Sequence, residues 1–383
     1  MKRQLLLSLA LLPVLVCSQT VNKDNTVSFS YTNPNASTVT LEMQGQSFDM
    51  QKTGDTFSCT TDALQDNLYQ YFLTVDGNRV LDPQNSRVMR DVNYFFNYFT
   101  LPADGTSLME TQAVPHGTVE QVYYPASGGR QRRMSVYLPP SYADGKNYYP
   151  VLYLLHGSGG DETAWLELGR AAQILDNMIA QGKCKEMIVI FPNGNIWQDA
   201  SPVYDYRTQD GKVKWSNRDV RLRGEFEETF GDIMTFTEQH FRTITKKRSR
   251  AIAGLSMGGY HAMHISHYYN QLFDYIGLFS PVYNTYYDPN TTNTPDAKLA
   301  FPSNKNTPRV YKNVEKDLSR QFKTPPALYY IAIGRDDFLF AENVQYRALL
   351  DKNKYPYIYV ETTGSHTWDN WRKYLIDFLP RLF

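Results

Sequence analysis

Two rhythms of apolar and polar residues divide the chain. Between about residues 20 and 100, apolar and polar positions alternate in Thr26-Val27-Ser28-Phe29-Ser30-Tyr31, in Val39-Thr40-Leu41-Glu42-Met43, in Asp55-Thr56-Phe57-Ser58-Cys59 and along 68–75. Successive strand residues face opposite ways, so short alternating runs separated by turns predict a small antiparallel β-sandwich over 19–100. Asp76-Gly77 marks a tight hairpin, and Asp82-Pro83-Gln84-Asn85 closes the pattern. A polar, turn-rich stretch over 101–116 reads as a linker. Across 117–383 the rhythm changes to apolar runs at 134–138, 151–155, 187–191, 249–253, 275–279, 328–333 and 357–361. Helical patterns at 171–181, 226–241, 260–265, 341–352 and 368–379 lie between or after them. A strand that is apolar along its whole length is covered on both faces. Such strands alternating with helices specify a mostly parallel sheet, the α/β class.

The first residues stand outside both rhythms. Met1-Lys2-Arg3-Gln4 is a basic start, and the apolar run over 5–16 is too short to cross a bilayer as a stable helix. Together they predict a signal peptide over 1–18, cleaved after Ser18, and a secreted or periplasmic protein. Cys17 raises a lipid anchor as the alternative, but Val16 is larger than the small residue expected before a lipidated cysteine. Cys59 and Cys184 fall in different predicted domains and are expected to be free thiols. A length of 383 residues also exceeds what one hydrophobic core usually supports. The charges balance, 39 basic against 39 acidic, so no strong field points to nucleic acid or an anionic membrane as partner. The 29 tyrosines fit strand packing first and ring-stacking surfaces second.

The strongest chemical signal is Gly254-Leu255-Ser256-Met257-Gly258-Gly259, placed between a buried strand and a helix. Gly-x-Ser-x-Gly at such a junction is a nucleophile elbow, tight enough that a Cβ at either glycine would collide with its surroundings. Ser256 would stand at the helix N-terminus and would need a base and an orienting carboxylate. His366, in the loop after the 357–361 strand, fits the base. Asp336 and Asp337, at the end of the 328–333 strand, both fit the carboxylate, one orienting His366 and the other capping the next helix. The order Ser, Asp, His is that of α/β-hydrolases. His156-Gly157-Ser158-Gly159-Gly160 supplies a turn whose N–H groups near Ser158 could join that of Met257 in holding an oxyanion. The absence of a following Lys or Thr argues against a phosphate loop. His261, His264 and His267 recur at helical spacing with no carboxylate or cysteine nearby in sequence, and read as packing residues.

These motifs form an ordered set. Arg132-Arg133-Met134-Ser135-Val136-Tyr137-Leu138-Pro139-Pro140, the His156 turn with Trp165, Phe191-Pro192-Asn193-Gly194, Phe226-Glu227, the Ser256 elbow, Gly334-Arg335-Asp336-Asp337 and Gly364-Ser365-His366 together resemble the esterase D / feruloyl esterase family, carbohydrate esterase family 1. The resemblance implies hydrolysis of carboxylic esters by Ser256, His366 and an acid that its Gly-x-x-Asp pattern places at Asp337, with no metal or organic cofactor. It also implies feruloylated or acetylated xylan fragments as partners, and makes Gly157, Trp165 and Trp368 candidate substrate contacts. Leu68-Tyr69-Gln70-Tyr71-Phe72, Val75-Asp76-Gly77 and Asp82-Pro83 resemble the immunoglobulin-like (E-set) domains related to family 48 carbohydrate-binding modules. Those residues define a fold rather than a sugar site. Segments 197–223 and 283–306, polar and long, are expected to shape specificity. Siderophore trilactone esterases, which can also carry an N-terminal β-sandwich, and a non-catalytic glycan binder are the competing expectations; the signal peptide argues against the former and the intact Ser256, Asp337 and His366 against the latter.

Overall fold

The structure, a computed structural model, describes residues 19–91, 94–102, 104–196, 198–200, 224–283, 299, 301 and 307–383. The expected signal peptide, and most of segments 197–223 and 283–306, lie outside the described residues. The chain divides between Ser107 and Leu108 into two compact units.

The first unit is built from β1 (Gln19–Val21), β2 (Val27–Thr32), β3 (Val39–Met43), β4 (Gln46–Asp49), β5 (Gln51–Thr53), β6 (Thr56–Thr60), β7 (Asn67–Val75), β8 (Asn78–Val80), β9 (Val88–Asp91) and β10 (Tyr94–Leu101). They form two antiparallel sheets, β1-β2-β6-β5 and β4-β3-β7-β10-β9, with β8 paired to β7. The inward positions of the alternating runs, Val27, Phe29, Leu41, Tyr71, Leu73 and Phe99, make the core. Phe29 meets Tyr71 edge to face with centroids 5.1 Å apart. Asp76 (φ +47°) and Gly77 (φ +79°) turn the β7–β8 hairpin, the double positive φ of a two-residue loop. Asp82 is buried rather than displayed: it accepts the Tyr71 hydroxyl at 2.9 Å, and its N–H donates to Asn97 at 2.7 Å.

The second unit contains one eight-stranded sheet in the order β11-β12-β14-β13-β15-β16-β17-β18. Its strands are β11 (Thr118–Ala126), β12 (Arg130–Leu138), β13 (Val151–Leu155), β14 (Ile188–Pro192), β15 (Arg250–Leu255), β16 (Tyr275–Phe279), β17 (Leu328–Gly334) and β18 (Ile358–Thr362). From β14 to β18 all neighbours are parallel, and β12 and β11 add an antiparallel edge. β13, β14, β15 and β17 are buried along their whole length, as two covered faces require. The described helices are α1 (Ala164–Glu167), α2 (Ala171–Ala180), α3 (Glu225–Glu228), α4 (Phe230–His240), α5 (Met257–Tyr268), α6 (Val314–Gln321), α7 (Phe340–Lys352) and α8 (Trp368–Phe378).

Three expectations need correction, and one strand went unread. The single helix over 226–241 is two, broken at Thr229, whose hydroxyl bonds back to the Glu225 carbonyl at 2.7 Å. β11, an edge strand with most residues exposed, gave no apolar run to read. The helix after the elbow starts at Met257 rather than Tyr260. Residues 108–117, most of the presumed linker, are tied to α2: Asn177 donates to the carbonyls of Leu108 and Glu110, and Asp176 accepts the Gly117 N–H at 2.8 Å.

The histidines of α5 have a thermodynamic consequence. His264 and His267 are buried and bonded to each other, Nδ1 to Nε2, at 3.1 Å. Burial holds His264 well below the usual imidazole range; burial, with Arg320 adding to it, pushes His267 down to about 3. A histidine depressed by folding is protonated more readily when unfolded, so stability is complete above the unfolded value near 6.5 and falls as pH drops below it. Denaturant titrations at pH 7 and pH 5 should show a loss at pH 5 to which His267 contributes about 2 kcal/mol. His267→Gln should flatten that difference by a similar amount, whatever its own stability.

Candidate active site

The carboxyl ends of β13, β15, β17 and β18 converge on one rim. At the end of β15 the chain turns through Ser256 with φ +53° and ψ −116°, a conformation that L-residues avoid, and enters α5 at Met257. Backbone bonds hold it there: the Ser256 N–H donates to Phe279 at 2.9 Å, and its carbonyl accepts from Tyr260 at 3.1 Å. A Cβ on Gly254 would lie 2.4 Å from the Gly258 backbone, and one on Gly258 would lie 2.4 Å from the Leu155 carbonyl. The elbow therefore needs glycine at both places. The Met257 N–H, first in α5, has no carbonyl a turn earlier within the helix to receive it.

The turn after β13 lies against this serine. A Cβ on Gly157 would come within 2.5 Å of the Leu255 side chain and 3.3 Å of the Ser256 Cβ, so Gly157 is a point of close approach. Ser158 is exposed, and Gly160 donates to the Gly157 carbonyl at 3.1 Å across Gly159 at φ +85°. His156, buried beneath, fixes the turn. Its Nε2 accepts the Gly194 N–H at 2.8 Å, so Nδ1 carries the proton and donates to the Gly157 carbonyl at 2.7 Å. Burial pushes this imidazole below its ordinary value and keeps it neutral in that tautomer. Gly194 is held in turn: Arg132 donates to the Asn195 carbonyl at 3.0 Å, and Asn193 donates to Glu162, which Arg133 pairs at 2.7 Å.

The two aspartates separate. Asp337, buried, accepts a hydrogen bond from His366 Nδ1 on Oδ2 at 2.8 Å and from the Leu339 N–H on Oδ1 at 2.9 Å. Asp336 is exposed and accepts the Gly364 N–H at 3.1 Å. One carboxylate thus binds the imidazole and also shapes the turn before α7, while its neighbour ties the histidine loop rather than capping the helix as expected. That loop can come so close because Gly334 has no side chain: a Cβ there would sit 2.1 Å from the Gly364 carbonyl. With Nδ1 turned to Asp337, Nε2 is the ring nitrogen left to the rim. Phe338 (4.5 Å) and Trp371 (4.9 Å) flank the ring.

Of the expected substrate contacts, Gly157 lies beside Ser256, whereas Trp165 is a correction. It is only 1% exposed, its indole N–H donates to the Leu155 carbonyl at 2.9 Å, and it meets Trp368 edge to face at 5.2 Å. It supports the rim from below and offers a ligand no surface. Trp368, 8% exposed, is clasped between Trp165 and Trp371 and mainly extends that support. Two sets of bonds had escaped the sequence reading, although their residues stand in its motifs: His156 to Gly194, and a fully buried Glu227 that joins His261 Nδ1 at 2.6 Å and the Tyr311 hydroxyl at 2.7 Å. The partner of His261 is 34 residues away in sequence, so local spacing could not reveal it.

A strained serine on an elbow beside a glycine turn, with an aspartate-held imidazole in a loop at the same end of the sheet, is the set of parts a serine hydrolase uses. Residues 126–382 match the Esterase family model, described as "Putative esterase". The chain belongs to the esterase family. Among curated relatives, an endo-1,4-beta-xylanase/feruloyl esterase of Xylanibacter ruminicola is 30% identical over 271 residues, 68% of this chain and 35% of the relative. This chain thus spans about a third of that relative's length. An acetyl esterase of Caldicellulosiruptor saccharolyticus is 27% identical over 59% of this chain and 80% of its own. Among solved structures, the family 1 ferulic acid esterase of Anaeromyces mucronatus, in complex with ferulic acid, superposes with a TM-score of 0.54 at 23% identity, covering 72% of this chain and 93% of that one. The enterobactin esterase of Shigella flexneri gives 0.62 at 13% identity, covering 93% and 92%. These likenesses establish the α/β-hydrolase fold preceded by antiparallel β-sheets.

Losing an imidazole's orienting carboxylate costs about 10⁴ in kcat when geometry is otherwise kept. Asp337→Asn should accordingly lower kcat for p-nitrophenyl acetate by about 10³ to 10⁴ with little change in KM. Asp336→Asn, at a carboxylate that bonds the Gly364 N–H and not the imidazole, should cost less than about tenfold. Steady-state kinetics of both variants check this, and equal losses would contradict the division of labour between the two aspartates.

Proposed function

We propose that this esterase is an exported feruloyl esterase that frees hydroxycinnamic acids from arabinoxylan. The observation that carries the chemistry is the 2.8 Å bond between Asp337 and His366 at the rim that also bears Ser256. His366 Nε2 takes the Ser256 hydroxyl proton as Oγ bonds to the ester carbonyl carbon, whose oxygen becomes an oxyanion held by the Met257 and Ser158 N–H groups. Each such donor is worth about 3 to 4 kcal/mol of barrier. The C–O bond to the alcohol then breaks, and His366 returns the proton to the departing oxygen. Water, deprotonated by the same imidazole, attacks the acyl carbon; the acyl–Oγ bond then breaks as His366 returns that proton to Oγ, releasing the carboxylic acid and restoring Ser256. Nucleophile, base and oxyanion donors are all groups of the chain, so the cycle calls on no metal or organic cofactor.

The choice of acyl group draws on the relatives, one named for feruloyl esterase activity and one for acetyl esterase activity. Acetyl xylan is therefore the second substrate reading. The likeness to an enterobactin esterase across 93% of the chain favours a third, a siderophore trilactone. Export through residues 1–18 fits a polymeric substrate outside the cytoplasm better than it fits that third reading. Chromatography of phenolic acids released from wheat bran should show ferulate with the wild type and none with Ser256→Ala. Ferulate from both would end the role of Ser256. Ferulate from neither, with acetate released from acetylated xylan, would replace the substrate by the second reading.

A further inference from the structure

Phe338 is a residue of the rim that the mechanism leaves unused. It follows Asp337 directly, and its side chain is turned out while its neighbours are turned in: Asp337 is 4% exposed, Leu339 1%, and Phe338 42%. The turn dictates this. Asp337 donates its N–H to the Gly334 carbonyl and accepts the Leu339 N–H, which fixes the direction of the residue between. The exposed ring is tilted 54° to the His366 imidazole, with centroids 4.5 Å apart. Single exposed apolar residues are ordinary on protein surfaces. One in contact with the imidazole of a hydrolytic site is differently placed, because whatever covers it stands beside the base.

The reaction says which half of an ester that is. Asp337 holds Nδ1, so Nε2 both receives the serine proton and returns it to the leaving oxygen. In the mechanism proposed above the oxyanion is held by the N–H groups of Met257 and Ser158, on the elbow and the turn against it, so the acyl half belongs to that part of the rim. A group seated on Phe338 therefore belongs to the alcohol. Arg335 and Asp336, both exposed, lie on the same turn, and Arg335 pairs with Glu361. A flat apolar face edged by polar side chains suits a ring with an apolar C–H face and a rim of hydroxyls. We propose that Phe338 is the leaving-group platform of this esterase, on which the sugar ring bearing the ester stacks. The assignment rests on the serine esterase reading but not on which acyl group is cleaved.

The test compares esters that share an acyl group and differ in the alcohol: feruloyl arabinofuranose against methyl ferulate, and a xylose acetate against p-nitrophenyl acetate. In Phe338→Ala, the ratio of kcat/KM for sugar ester over simple ester should fall about fivefold, chiefly through KM, the size expected for one lost ring contact. Phe338→Trp should restore the ratio. A ring that merely steadied His366 would, when removed, slow both members of a pair alike and leave the ratio unchanged, and that result would overturn the proposal. Hydrolysis of neither pair by the wild-type protein would instead overturn the esterase reading, and the platform with it.

Discussion

The site depends on how closely backbones can approach at the end of β15. Gly258 of α5 presses on the Leu155–His156 backbone, Gly254 presses on Gly258, and Gly157 presses on Leu255. These contacts leave no volume for a methyl group, and together they confine Ser256 to a positive φ that a free serine would abandon. The strain is local, and the bonds that offset it come from elsewhere in the sheet: Phe279 at the end of β16 accepts the Ser256 N–H. A second close approach, Gly334 against Gly364, performs the same service for the histidine loop. Both halves of the site are therefore set by missing side chains as much as by present ones.

Beneath these approaches lies a layer of buried polar groups. Burying a carboxylate or imidazole is costly unless each is bonded. Here Glu162 is met by Arg133 and Asn193, Glu227 by His261 and Tyr311, and His156 by Gly157 and Gly194. The return on that cost is direction. A neutral, tautomerically fixed His156 couples the turn after β13 to the one after β14, so the turn that lies against Ser256 is held in one shape. The aromatic support of Trp165, Trp368 and Trp371 plays the corresponding part for His366.

The two β-rich parts of the molecule use burial differently. In the first unit, alternation leaves one face of each strand for the core, and turn chemistry at Asp76-Gly77 and Asp82 fixes how strands succeed one another. In the second, the central strands are buried on both sides, so polar chemistry is expelled to the strand ends. That is why serine, aspartate and histidine, 110 residues apart at the extremes, share a single rim.

Period, punctuation and motif order were enough to read the α/β class, the sandwich before it, the elbow, and His366 as the histidine in a strand-end loop, because each is a local property of consecutive residues. The break at Thr229, the exposed edge strand β11 and the attachment of residues 108–117 to α2 were not legible, since no apolar periodicity records them. Nor did the sequence show that Trp165 faces inward, or that Asp336 ties the histidine loop instead of capping the next helix. Adjacent residues on a turn point in different directions, and only the packing of distant segments decides which direction is the interior. The same reason hid the partner of His261. A chain specifies by its own pattern where strands and helices form; which buried charge meets which histidine is decided when those elements pack, because water must be excluded from both partners at once.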